Sequence, residues 1–193
     1  MKYFSYLNTA KTILQLYKGD QPFGLFIKDF FRQHKKYGSK DRKQISHLCY
    51  CYFRAGKLFI NYALEEAIVA SLFVCTPVAN DMLQLFNAEW NAKATMTVGE
   101  KFNLLNVNMA DIFPWKSELS NVVDYEKFCA SILIQPDLFL RIRPGFKKSV
   151  IGKLEENGIA FEIEDHCIRL SNSTKIEAIS PPDQEVVIQD YNS

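Results

Sequence analysis

The residues with the most chemical potential in this sequence are cations. Arg32, Lys35, Lys36, Lys40, Arg42 and Lys43 stand within twelve positions, with Asp41 as the only carboxylate among them. Like charges this close repel one another. They are relieved either by solvent or by a polyanion such as RNA.

The turn Tyr37-Gly38-Ser39 divides this group, and a helix capped by Ser39 fits the residues that follow, to about Arg54. At roughly 100° per residue with Lys40 at zero, Lys43, His47, Cys51 and Arg54 fall near 300°, 340°, 20° and 320°. Ile45, Leu48, Cys49, Tyr52 and Phe53 fall between about 80° and 220° on the same wheel. A basic face therefore opposes a core face. Lys40, Lys43 and Arg54 are the outward candidates for phosphate contacts, and Arg32, Lys35 and Lys36 extend the patch. Arg42 falls with the core face, so it is expected to be partly buried and structural, paired with a carboxylate.

A second basic group is Arg141 and Arg143, with Lys147 and Lys148 after Gly145. Leu138 to Arg143 alternates as a strand. Both arginines and Phe139 then share the face opposite Leu140 and Ile142. One aromatic ring and two guanidinium groups on an open sheet face can stack on and clamp single-stranded RNA. A solvated face, its arginines bridged to Glu162 or Glu164, is the alternative.

Catalytic patterns are missing: the sequence holds no GxGxxG, no P-loop and no HExxH. His34, His47 and His166 are far apart, and Asp124 and Glu126 suit helix capping better than acid–base work. Five cysteines are scattered at 49, 51, 75, 129 and 167. Cys49 and Cys51 point about 200° apart on a helix, which suits no zinc site. Buried structural thiols in a reducing, cytoplasmic setting are expected, since the N-terminus is amphipathic and lacks the apolar run of a signal peptide.

These groups need elements to hold them. The chain has 193 residues, 48% hydrophobic and 23% charged, which excludes a disordered or collagen-like polymer. Its net charge of +1 conceals segments of +9 over Met1–Lys57, −5 over Leu58–Pro136, +3 over Asp137–Val150 and −6 over Ile151–Ser193. Tyr3, Leu7, Ala10, Leu14 and Tyr17 space out a first helix stopped by Gly19. Asp20 is the expected cap of a second, with Pro22 in its first turn, a stripe of Phe23, Phe26, Ile27 and Phe30, and an end at Gly38. Further helices are expected over Leu58–Val74, over Val78–Trp90, from the Thr97-x-x-Glu100 capping box to Leu105, and from Asp124 through Leu133. Glu65 and Glu66 lie in the longest apolar run, Leu58–Cys75, which argues against a membrane span and for a core helix.

At Gln135-Pro136 the period changes from 3.6 to 2. A strand over Leu138–Arg143 precedes a helix over Lys147–Glu156 closed by Asn157-Gly158. Strands over Ile159–Ile163 and Cys167–Leu170 follow, then a helix or strand over Thr174–Ile179, and a last strand over Glu185–Gln189. The expected fold is mainly α, then α+β. A helical bundle over 1–134 is followed by a small β-α-β-β-(α)-β module over 135–193, with a ferredoxin-like or RNA-recognition-like outline.

Three segments resemble one family. Gly38-Ser39-Lys40-Asp41-Arg42-Lys43 and the helix to Arg54 resemble the NusB-like helical domain of Sun/Fmu (NOP/Sun) RNA 5-methylcytosine methyltransferases. Gln135-Pro136-Asp137-Leu138-Phe139-Leu140-Arg141-Ile142-Arg143 resembles that family's Pro-x-x-Leu-x-Arg-(Val/Ile)-Asn strand, with Arg143 where Asn is usual. Val187-Ile188-Gln189-Asp190-Tyr191-Asn192-Ser193 resembles its Val-Gln-Asp-x-x-Ser-Gln segment, which leads into the methyltransferase fold.

The resemblance implies an N-terminal RNA-binding region of a ribosomal RNA methyltransferase. Its partners would be RNA, ribosomal in origin, and the protein's own C-terminal catalytic domain. S-adenosylmethionine is implied for that domain and no cofactor for this chain, which has neither the family's Asp-x-Cys-Ala-Ala-Pro-Gly-Gly loop nor a Cys preceded by Pro. No catalytic residue, membrane partner or DNA partner is expected. The competing function is a stand-alone module that docks a protein.

Overall fold

The computed structural model describes residues 2–172, 174, 176 and 184–189. The chain divides into two compact units, Met1–Ile134 and Gln135–Ser193. The first is helical among its described residues, and the second combines helix with a four-stranded antiparallel sheet.

In the helical unit, α1 (Lys2–Leu16) is followed by α2 (Phe23–Gln33) and α3 (Ser39–Arg54). Pro22 is itself the N-cap of α2 and no side chain caps it, so Asp20 does not fill that place. The helix stops at Gln33, before the turn reaches Gly38. Gly38, rather than Ser39, is the N-cap of α3. Its N–H donates to the Asp41 carboxylate at 3.0 Å, which satisfies one of the donors left open at a helix start.

Next comes α4 (Leu64–Cys75), six residues later than the expected start at Leu58. Gly56 adopts φ +58°, and Ala55 to Tyr62 turns back on itself, with the Lys57 N–H donating to the Asp111 carbonyl at 3.2 Å. Bonds of the tighter i to i+3 kind, Ile60 N–H to the Lys57 carbonyl and Tyr62 N–H to the Phe59 carbonyl, take the place of an α-helix over these residues. Glu65 and Glu66 fall in the first turn of α4, where the helix's partial positive charge favours them. Ala67, Ile68, Ala70, Ser71, Leu72, Phe73 and Val74 are all buried, so α4 presents no polar stripe.

The helix expected over Val78–Trp90 is two short ones, α5 (Asp81–Phe86) and α6 (Ala88–Ala92). Asn87 separates them with extended backbone, φ −158°, and its side chain caps the second. The Thr97–Glu100 box opens α7 (Val98–Leu105), and Asn106 closes it at φ +52°. Asp124 caps α8 (Tyr125–Ile132), accepting from the Lys127 N–H at 3.1 Å. The core joins Leu7, Ala10 and Ile13 of α1, Ile45, Leu48, Cys49 and Cys51 of α3, and Ile68, Leu72 and Phe73 of α4. Helix α3 is thus covered by neighbours on more than one side.

The second unit runs β1 (Leu138–Ile142), α9 (Lys147–Glu156), β2 (Phe161–Glu164), β3 (Cys167–Leu170) and β4 (Val186–Gln189), in the sheet order β2-β3-β1-β4. Asp165-His166 makes the β2–β3 hairpin, with Asp165 at φ +53°. Alternation along β1 buries Leu140 and Ile142. They join Val150 and Leu154 of α9, Ile168 and Leu170 of β3 and Val186 of β4 in one core. Most of the segment Thr174–Ile179 and all of Asp190–Ser193 lie outside the described residues.

Among the described residues no helix is long and apolar enough to cross a membrane.

Candidate nucleic-acid interface

The hairpin between α2 and α3 gathers the first basic group. Arg32, Lys35, Lys36, Lys40 and Lys43 are all exposed. Arg32 is ion-paired with Asp29 one turn earlier. Lys36 lies over the Tyr37 ring, 5.1 Å from its centroid.

Asp41, the carboxylate inside this group, is turned away from the cations of its own hairpin. It accepts from the Tyr6 hydroxyl and the Gly38 N–H, and Lys2 pairs with it at 3.3 Å. The Tyr6 hydrogen bond, then the Gly38 N–H, hold its carboxyl below the usual carboxylate range. The effect is electrostatic: Lys2 of α1 engages Asp41, and the hairpin lysines keep an uncompensated field.

Arg42 is half-buried, as the wheel suggests, but its partner is not a carboxylate. Its Nε donates to the Tyr37 carbonyl at 2.8 Å, and its guanidinium lies 5.8 Å from the Phe31 ring. Tyr37 in turn stacks on Phe30 and shares a hydrogen bond with Thr9. Arg42 therefore ties the turn to both helices that flank it and is a positioning residue for the exposed lysines.

Arg54 departs from the expected basic face. It is half-buried and lies near Cys75 of α4, whose thiol pKa is lowered first by a hydrogen bond with Cys51 and then by Arg54. Cys51, on the same face of the wheel, is fully buried with its Sγ 3.7 Å from His47 Nε2. The basic face of α3 is thus exposed only in its N-terminal half, because α4 covers the rest. Burial, then Arg54 and Lys43, lower the pKa of His47. Burial raises the Cys49 thiol to about 12, which makes it a poor nucleophile. All five cysteines are free thiols.

In the second unit Arg141, Arg143, Lys147 and Lys148 are exposed. The register defines the open sheet face as two rows. Glu162, Arg169, Phe139 and Gln189 form one, and Glu164, Cys167, Arg141 and Val187 the other. Phe139 and Arg141 do share this face, with Glu162 and Glu164 beside them, whereas Arg143 lies beyond the end of β1 and belongs to neither row. Arg169, which sequence reasoning did not single out, is held by Asp137 at 2.7 Å and Glu162 at 3.0 Å. Lys147 Nζ donates to the Asp165 carbonyl at 3.3 Å.

Sequence reasoning also passed over the apolar end of the α2–α3 hairpin. Tyr17, Phe23, Phe26, Tyr50 and Phe53 form one ring cluster, with Phe23 and Phe53 centroids 4.6 Å apart. Phe53, expected in the core, is 40% exposed. The five positions are readable as aromatic in the sequence, but no period links residues drawn from three segments.

Among the described residues no group of three or more His, Cys, Asp and Glu side chains is placed to hold a metal ion. Compared with family models, curated proteins and solved structures, the chain finds no match.

Proposed function

We propose that this chain is an RNA-binding accessory region, serving a ribosomal RNA cytosine methyltransferase as the resemblance implies. The observation that carries the reading is the exposed array Arg32, Lys35, Lys36, Lys40 and Lys43 on one helical hairpin, with its internal carboxylate drawn off by Tyr6 and Lys2. Such an array contacts phosphates and gives affinity with little sequence selectivity. In this reading the helical unit is the NusB-like domain. The sheet order β2-β3-β1-β4, with α9 between β1 and β2, supports a ferredoxin-like or RNA-recognition-like second module. The chain contributes RNA capture. The methyl donor and nucleophile belong to the catalytic domain, and S-adenosylmethionine is not expected to bind here.

A protein-docking module is the competing reading, favoured by the exposed aromatic cluster. Filter binding of ribosomal RNA fragments across a salt series separates the two. The RNA reading expects affinity to fall steeply and log-linearly with salt. Absence of RNA binding at low salt would reject it.

A further inference from the structure

A cleft between α2 and α3 lies along the same helices as the aromatic cluster and the basic array. On α2, Leu25, Lys28 and Arg32 are three and four residues apart and all exposed; on α3, Lys43, Ser46 and Tyr50 have the same spacing. Each triplet therefore forms a single stripe along its helix. Leu25, Lys28, Ser46 and Tyr50 together line a cleft of about 470 Å³ between the two helices, with Phe31 at its inner wall.

The two ends of this groove differ in kind. At one end stand Leu25, Tyr50 and Phe53, each at least 39% exposed. Phe23 supports both rings from behind, its centroid 5.4 Å from Tyr50 and 4.6 Å from Phe53. A ring propped by other rings is held in place without being covered. At the other end stand Arg32, Lys40 and Lys43. Lys28 is the cation at the cleft itself. Gly24 lines the cleft without a side chain; a Cβ there would already be in contact with the Tyr50 hydroxyl, 3.5 Å away.

We infer that this groove is a track for single-stranded RNA. Unpaired bases stack against Tyr50 and its supporting rings, and the backbone passes Lys28 and Lys43 toward the hairpin lysines. The inference rests on the RNA reading above and narrows it to a ligand class. Duplex RNA hides its base faces and would need only the cations. A single strand needs both a stacking surface and a charged path, and this groove offers the two in sequence. An apolar protein segment would be served by the aromatic end alone and leaves Lys28 and Lys43 without a role.

The test is fluorescence anisotropy with two labelled probes of equal length, an oligoadenylate and a fully paired RNA hairpin, at one low salt concentration. Wild-type protein is expected to bind the oligoadenylate about tenfold more tightly than the hairpin, the size of one base–aromatic stack. Tyr50→Leu keeps an apolar side chain but removes the ring, and should abolish most of that difference while leaving hairpin binding unchanged. Gly24→Leu fills the cleft and crowds the Tyr50 side chain while leaving every ring in the sequence, and should do the same; it decides the matter if Tyr50→Leu does not fold, as judged by thermal melting. If both variants bind both probes like wild type, or if they lose affinity for both equally, the groove is not a stacking site, although the RNA reading stands. If wild-type protein binds neither probe, the RNA reading and this inference fall together.

Discussion

The α2–α3 hairpin and the second unit each present a group of exposed cations, in different electrostatic settings. On the α2–α3 hairpin, lysines stand clear of carboxylates because Asp41 is satisfied by Tyr6, Gly38 and Lys2. On the open sheet face, Arg169 is clamped between Asp137 and Glu162, and Glu164 lies in the same row as Arg141. What separates them is where the counter-charge sits: on the hairpin Asp41 is engaged by Lys2 of α1 and Asp29 by Arg32, which leaves the lysines clear, whereas on the sheet carboxylates alternate with arginines across the open face. The lesson concerns the quantity that matters to a polyanion, the uncompensated field, which depends on packing as well as composition.

That contrast can be broken most severely by reversing the hairpin. Lys36, Lys40 and Lys43 replaced together by Glu should lower RNA affinity about a hundredfold at low salt and make the salt dependence shallower. Filter binding reads both, and an unchanged slope would reject the hairpin as the principal phosphate contact.

Arg42→Ala probes the support of the hairpin. Losing the bond to the Tyr37 carbonyl and the contact with Phe31 should cost about 1–3 kcal/mol in a denaturant melt. The slope of affinity against salt should stay as in wild type, since Arg42 makes no phosphate contact.

The sheet face should respond less. Arg141→Ala with Arg143→Ala is expected to weaken RNA binding only about threefold, roughly 0.7 kcal/mol. A loss as large as the hairpin triple's would invert the ranking of the two units. In the opposite direction, Asp137→Asn with Glu162→Gln should free Arg169 and raise affinity about twofold, because exposed ion pairs are individually weak.

The smallest effect is on pH. His47 has its pKa lowered in the folded protein from an ordinary value of 6.5, chiefly by burial and then by Arg54 and Lys43. A base whose folded pKa is depressed binds fewer protons folded than unfolded as the pH falls through 6.5 toward the folded value. Stability from this group is therefore present at neutral pH and declines in mild acid. Thermal melts in neutral and mildly acidic buffer should show that decline, and His47→Gln should flatten it.

Local chemistry was readable from the sequence where it is self-contained. The Thr97–Glu100 box, the Asp124 cap, the α9 boundaries and the alternation of β1 all depend on residues a few positions apart. Readability ended where a distant neighbour decides. The start of α4 is not legible because Gly56 at φ +58° and a run of short turns up to Tyr62 come first, and a helix almost wholly buried past Glu66 offers no stripe to mark its ends. Asn87 was read as helix interior although its side chain caps the next helix. Of the candidate site, the exposed lysines followed directly from composition. The half-burial of Arg54 did not, since it is α4 and Cys75, distant in sequence, that cover that face of α3. Phe53 shows the reverse error: the wheel sets it on the core face, whereas it stands at the open rim of that face beside Tyr50.

Lys101 offers a different kind of use. It is only 2% exposed, and its ammonium donates to the carbonyls of Phe73 and Thr76 at the end of α4. An amine-reactive acylating reagent should label the exposed Lys40 and Lys43 readily, yet find the Lys101 nitrogen occluded and its N–H groups engaged by two carbonyls. Labelling at that position waits for the helical unit to open. Peptide mass spectrometry of a timed labelling series would make Lys101 an internal clock for opening, read against the hairpin lysines of the same molecule as its zero.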